Sequence, residues 1–243
     1  MSEVPQENRL LAGLSDSEHE RLLPNLELVR MNLGEVVYEH GVKLNYAYFP
    51  IDCIVSLLSV MDNGDSSEIG MIGNDGVVGM CLILGEGVTT GRAVVQSEGN
   101  ALRMKGELLK TEFARAGHMQ QVLLKYLQAS LSMISQTAAC NKHHSTAQQL
   151  CRWLLLGLDR LPGNRLFMTQ GLVANMLGVR WDVVTDATGA LEADGLITFT
   201  RGTFTVLDRI RLERAACECY AAVKHEFDRL LPDQRGHAPR ETG

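Results

Sequence analysis

The chain has 243 residues, of which 45% are hydrophobic, and it carries 23 Lys+Arg against 29 Asp+Glu for a net charge of −6. Its length suits one large domain or two smaller ones, with enough apolar material for proper cores. The absence of an apolar run of about 18 residues excludes a helical membrane span. The polar opening MSEVPQENRL offers no secretion signal, and the six scattered cysteines (53, 81, 140, 151, 217 and 219) form no C-x-x-C pair, so free thiols and a cytoplasmic setting are expected.

Residues 8–28 read as short helices, with Ser15 and Glu18 at capping-box spacing and Leu11, Leu14, Leu22 and Leu23 as the buried side. From Val29 to Met104 the runs VVY, YAYF, CIVSLLSV, SEIGMI, GVVGMCLIL, RAVVQ and ALRM are strand-sized and punctuated by glycine, and Asn63–Gly64 is the clearest hairpin turn. Such spacing predicts an antiparallel barrel or sandwich. From Leu108 to about His144 the pattern turns helical. Leu124, Leu127, Leu131, Ile134, Ala138 and Asn141 follow the spacing of a heptad seam, apolar in its first half and small or polar in its second. A narrow stripe on so long a helix predicts a two-stranded dimer interface in preference to a helix lying on its own barrel.

Ser145–Thr146 reads as a hinge. Ala147–Leu161 is then a helix expected to bury Leu150, Trp153, Leu154, Leu156 and Leu158, and Pro162–Gly163–Asn164 ends it. The stretch Met168–Leu207 reads as helix, tight turn, helix and hairpin. Thr169 N-caps the first helix, Leu172, Val173, Met176 and Leu177 recur at helical spacing, and Gly178 ends it. The second helix runs from about Arg180 to Ala193, with Val183, Val184, Ala187 and Leu191 on its apolar side. Gly195 closes it, and Arg201–Gly202 turns the hairpin. This is the order of a winged helix-turn-helix. After Asp208 the tail is helical, and its DQRGHAPRETG end is expected to fray.

Thr169, Leu172–Val173–Ala174, Leu177–Gly178–Val179, Val184, Leu191 and Gly195–Leu196–Ile197 resemble the DNA-binding domain of the Crp/Fnr superfamily of bacterial transcription regulators. Upstream, Gly34-Glu-Val-Val-Tyr38, Gly41 and Tyr48–Phe49 resemble the opening of the cyclic-nucleotide-binding β-roll found in the same place in that family. The resemblance implies an α+β protein with four parts: an effector-type β-roll with N-terminal helices (1–116), a dimerisation helix (117–145), a winged helix-turn-helix (146–210) and a helical tail (211–243). It also implies duplex DNA and a second copy of the chain as partners, with RNA polymerase and an unidentified small-molecule effector as further ones.

Two departures from the family pattern matter. Its recognition helix usually opens with Arg-Glu and carries another Arg four residues after that Glu, whereas Trp181, Asp182 and Asp186 stand here. Arg reads guanine bidentately; Asp accepts only from cytosine and repels phosphate, so the family's familiar target does not carry over. In nucleotide-binding members a Gly-Glu pair holds the ribose and Arg, then Ser or Thr, then Ala holds the phosphate. Here Gly79 is followed by Met80, and Arg92 directly by Ala93. The sugar carboxylate is lost, so a response to cyclic AMP is not expected. Ser135 and Gln136 sit near the helix positions that touch ligand in those members, completing a candidate effector pocket.

Residues 146–243 hold 12 Lys+Arg and 12 Asp+Glu, so DNA binding must rest on clustered groups rather than bulk charge. The candidates are Thr169, Gln170, Arg180, Trp181, Asp182, Thr185, Asp186, Arg201 and Thr203. No metal or cofactor is expected. No cysteine cluster suits an iron–sulfur centre, and nothing singles out a haem ligand among His40, His118, His143 and His144. His143–His144 point apart on a helix, and Cys217-Glu-Cys219 within a helical tail would aim its thiols in different directions. There is no nucleophile elbow, P-loop, zinc-protease motif or Rossmann fingerprint, so an enzyme is not expected. A regulator-like protein with weakened DNA binding, acting through protein contacts, is the alternative.

Overall fold

The computed structural model describes residues 7–232. Residues 1–6 of the polar opening and the DQRGHAPRETG end lie outside the described residues. Two short helices, α1 (Arg9–Ala12) and α2 (Asp16–Leu22), come first. The Glu18 carboxylate accepts the Ser15 N–H at 3.1 Å, as the capping-box spacing predicts, and also the Met119 N–H at 2.9 Å. One side chain thus caps one helix and anchors the start of another.

Seven strands follow: β1 (Glu27–Met31), β2 (Val36–Tyr38), β3 (Tyr46–Pro50), β4 (Ile54–Val60), β5 (Ser66–Ile72), β6 (Arg92–Ser97) and β7 (Gly99–Lys105). They make two antiparallel sheets, ordered β1-β7-β3 and β2-β6-β4-β5. Met31, Val55, Ile72, Ala93, Val95 and Ala101 from both sheets meet in a common interior. The β4–β5 hairpin turns at Asn63–Gly64, with Gly64 at φ +89°. GVVGMCLIL, read above as a strand, is not one. It makes a single bridge, Val78 to Tyr48, and then Gly79 at φ +113° swings the chain into α3 (Cys81–Leu84). A Cβ at Gly79 would approach Leu44 to 3.0 Å, so only glycine turns comfortably there.

The helical region divides into α4 (Gly106–Ala114) and α5 (His118–His143), broken at Ala116 and Gly117. α5 turns Met119, Val122, Leu123, Tyr126, Ala129, Met133, Thr137 and Cys140 inward. Its heptad stripe points another way. After Ser145, α6 (Thr146–Leu158) is buried continuously from Gln149 to its end, more completely than its predicted apolar side requires. Each fully buried leucine contributes about 2 kcal/mol, and Leu150, Leu154 and Leu155 are fully buried. α6 also packs on the roll, where the Trp153 indole donates to Glu68 on β5 at 3.1 Å.

The chain continues with β8 (Arg165–Phe167), α7 (Gln170–Leu177), α8 (Trp181–Ala193), β9 (Ile197–Thr200) and β10 (Thr203–Val206), these strands forming one antiparallel sheet ordered β8-β10-β9. β8 is too short to announce itself in the sequence; pairing with β10 makes it a strand. The tail forms α9 (Arg209–Ala215) and α10 (Glu218–Leu230). α10 doubles back antiparallel along α5: Gln136 meets Cys219, Gln128 meets Glu226, and Tyr126 meets Phe227 edge-on at 6.5 Å. Cys217 is the extended N-cap of α10 and not a residue within a helix, which corrects the expectation that its thiol diverges from that of Cys219.

Candidate nucleic-acid interface

The turn between α7 and α8 is built as its residues dictate. Thr169 Oγ1 accepts the Leu172 N–H at 3.2 Å and caps α7. Gly178 takes the left-handed conformation at φ +67°, ψ +34° and ends it. Val179 is half-buried, and Arg180 is the extended N-cap of α8. Val184, Ala187, Thr188 and Leu191 hold α8 down. Asp182, Asp186, Gly189 and Ala193, spaced four, three and four residues apart, stand exposed on its outward face. That face is acidic and small, and it carries no hydrogen-bond donor side chain.

Arg180 lies beside it, paired with Asp182 at 3.0 Å from Nε and 2.5 Å from the terminal nitrogen. This hydrogen-bonded guanidinium holds the Asp182 carboxyl below its usual range. Trp181 flanks the face on the α7 side, 58% exposed. Thr185 Oγ1 lies 3.1 Å from the Trp181 carbonyl and 3.3 Å from Gln170 Oε1, which ties the start of α7 to α8. The wing tip is a two-residue turn in which both Arg201 (φ +51°) and Gly202 (φ +75°) are left-handed, the geometry that matches strand twist. The Met168 N–H donates to the Gly202 carbonyl at 2.8 Å, pinning the wing beside the Thr169 cap. Thr203, half-buried, leads back into β10. The contacts thus run from the hairpin tip through the Thr169 cap and Gln170 to Thr185 on α8.

Two residues that sequence periodicity assigned to the core belong to the surface instead. Leu172 and Val183 are 44% and 39% exposed. Each has a neighbour, Val173 or Val184, that takes the buried position, so a one-residue ambiguity in a valine–leucine run decided the error.

The effector-pocket candidates are not gathered in this way. Gly79 and Met80 form the turn into α3, and Ala93 is buried inside the roll. Arg92 pairs with Glu39 at 2.9 Å. Ser135 is exposed, and the Gln136 amide donates to Cys219 on α10 at 3.1 Å. The tail helix, which the sequence left without a role, has taken the helix side that Gln136 was expected to offer an effector. A cavity of about 10 Å³, room for one water, is lined by Glu68, Met133, Thr137, Arg152, Trp153 and Met176 among others, and a wider open cleft of about 830 Å³ is lined by Ile51, Asp52, Asp75, Leu158, Arg160 and Phe227 among others.

Glu68 was missed in the sequence, where it is one acid in a strand. Burial pushes its carboxyl up to about 7, against hydrogen bonds from Ser56 and Trp153 and the charges of Arg152 and Arg160. Ser56 Oγ lies 2.6 Å from Glu68 Oε2 and 2.5 Å from Gln96 Oε1. One hydroxyl proton cannot serve both acceptors, and a proton on Glu68 completes the chain.

Among protein families, residues 148–215 match the Crp-like helix-turn-helix domain. No curated protein matches the sequence. Among solved structures, FixK2 of Bradyrhizobium japonicum superposes with a TM-score of 0.65 at 16% identity, covering 79% of this chain and 98% of that one. A Crp/Fnr-family transcriptional regulator of Thermus thermophilus gives 0.61 at 21% identity over 78% and 98%. The c-di-GMP responsive global regulator CLP of Xanthomonas campestris gives 0.63 at 17% identity over 80% and 100%. These likenesses establish a shared fold.

Proposed function

From a chain with the fold of the Crp/Fnr regulators and a Crp-like helix-turn-helix domain, we propose a dimeric, sequence-specific DNA-binding transcription regulator that does not respond to cyclic AMP. The observation that carries this reading is the freedom of the outward face of α8: Asp182, Asp186 and Gly189 are exposed although α7 packs on the roll. Two such faces, set one helical turn of duplex apart by a dimer, would enter successive major grooves.

The heptad stripe supports the dimer. Leu124 and Leu131 are 47% and 57% exposed, and Leu127 and Ile134 are half-buried. A stripe of leucine left open on a 26-residue helix is what a second copy of α5 would cover. The chemistry of α8 suggests the readout. Asp182 and Asp186 accept from cytosine N4, while Arg180 and Arg201 meet phosphates at the edges. Arg180 would exchange its Asp182 partner for a phosphate.

The same acidic face favours the alternative of a regulator-like protein whose DNA binding is weak and which works through protein contacts. Binding to the chain's own promoter region, measured against salt, separates the two. A steep slope with preference over random duplex supports the regulator; no binding at low salt supports the alternative. Under the first reading Arg180→Ala abolishes specific binding and Asp186→Arg raises affinity for any duplex. If neither variant changes binding, the assignment of α8 is wrong.

A further inference from the structure

The C-terminal end of α5 and the start of α10 bring three of the chain's six cysteines and one histidine to a single point. Cys140 and His144 are one helical turn apart, so both side chains leave the same side of α5. Cys217, on the extended N-cap of α10, and Cys219, in its first turn, reach them from the other side. Cys140 Sγ is 3.5 Å from Cys217 Sγ, and Cys219 Sγ is 3.5 Å from His144 Nδ1. All four donor atoms lie within 4.8 Å of one another. As packing this is odd: Cys140, Cys217 and Cys219 form a buried cluster by themselves, apart from the leucine-rich cores.

We propose that Cys140, His144, Cys217 and Cys219 bind one zinc-class divalent cation, through three sulfurs and His144 Nδ1. A tetrahedral ion with bonds of about 2.3 Å to sulfur and about 2.0 Å to nitrogen separates its ligands by roughly 3.5–3.8 Å, close to the spacings seen here. Donors this close enclose one ion and leave no space for a cluster of several irons. Three thiols and one imidazole are also a borderline-soft set that prefers zinc to magnesium or calcium.

The surroundings fit the same ion. His144 Nε2, the nitrogen turned away from the thiols, is 3.3 Å from Glu218 Oε1. A carboxylate behind a ligating imidazole fixes its tautomer and strengthens its donor nitrogen. The Gln136 amide donates to Cys219 Sγ at 3.1 Å, a bond that gains strength when the sulfur is a thiolate. Binding displaces three thiol protons and leaves the site with one net negative charge. Arg152, buried on α6, favours that charge electrostatically at Cys140, and its Nε has no hydrogen-bond partner among the described residues.

Position gives the ion a task. His144 caps α5, and Ser145 immediately caps α6, so the ligands straddle the joint between long helix and DNA-binding domain. The ion would fasten the tail helix along α5 at this joint and hold the second domain in its docked place. The site does not depend on the chain binding DNA, and its test is read without DNA.

The full-length chain, reduced and stripped of metal, is titrated with cobalt(II) in the absence of oxygen. We expect one cobalt per chain, with the sulfur-to-cobalt charge-transfer absorption and strong visible bands of a tetrahedral thiolate site, bleached by equimolar zinc. Cys219→Ser should lower the charge-transfer intensity. Glu218→Gln, at an exposed rim position where folding is not at risk, should weaken binding by about 10-fold or more. Cys81→Ser, outside the cluster, should change nothing. A reduced chain that gives no tetrahedral spectrum overturns the proposal, as does a spectrum indifferent to both Cys219→Ser and Glu218→Gln. A chain that forms a Cys140–Cys217 disulfide in air yet ignores cobalt when reduced also overturns it.

Discussion

Asp75 and Arg160 form a buried, two-pronged ion pair, 3.1 Å from Nε to Oδ1 and 2.8 Å from the terminal nitrogen to Oδ2. Asp75 lies just after β5 in the roll, and Arg160 just after α6 in the second domain. The guanidinium also donates to the Leu156 carbonyl and sits 5.3 Å over the Phe227 ring of α10. One side chain therefore joins roll, α6 and tail.

Removing one partner of this pair strands the other charge in the interior. Asp75→Asn should cost about 3 kcal/mol in urea unfolding, because a buried unpaired guanidinium is penalised more than the pair is rewarded. The double variant Asp75→Leu/Arg160→Leu should cost less than the sum of Asp75→Leu and Arg160→Leu measured singly. Simple additivity would show that the two residues act independently.

Glu68 should make stability depend on pH. Folded, its carboxyl is raised by burial from its usual 4.5 to about 7. Between those values the folded chain holds a proton that the unfolded chain has released, so stability falls as pH rises from about 4.5 to about 7 and then levels off. Glu68→Gln keeps a donor for Ser56 and an acceptor for Trp153 without the charge. It should match the parent near pH 5 and exceed it at pH 8 by on the order of 2 kcal/mol. An equal difference at both pH values would refute the assignment.

The open stripe on α5 predicts the assembly state. Leu131→Asp should convert two-chain particles to single chains in sedimentation, without loss of helical circular dichroism, since Leu131 is exposed within one chain. A parent chain that is monomeric, or a variant that still pairs, would place the dimer contact elsewhere.

Gly178 answers to two constraints at once. It is left-handed at φ +67°, and a Cβ there would come within 2.9 Å of Ser67 Oγ on β5. Gly178→Ala should destabilise by about 1–2 kcal/mol through the backbone, and by more through the clash. Adding Ser67→Gly should recover only the second part. Full recovery would mean that the turn tolerates alanine's backbone and that its geometry is not the limiting feature.

The helix-turn-helix was legible because its signals are local. Thr169 as cap, Gly178 as left-handed stop and the Arg201–Gly202 turn each act over a few residues, and a chain read in order displays them. The heptad stripe was legible for the same reason, since its period lies in the sequence whether or not a partner covers it. The strand expected at GVVGMCLIL failed because composition favours extension there, while one glycine at positive φ decides otherwise.

What sequence alone could not supply was every relationship between distant segments. Cys140 and Cys217 are 77 residues apart, Glu68 and Trp153 85, and Asp75 and Arg160 85. Read in order, Cys217-Glu-Cys219 looked like two thiols diverging on a helix. The fold starts that helix one residue later and lays it antiparallel on α5, so the thiols converge. Local propensity is written along the chain, but a meeting of side chains from separate elements depends on how their buried faces pack, and that packing is settled only when the whole core closes.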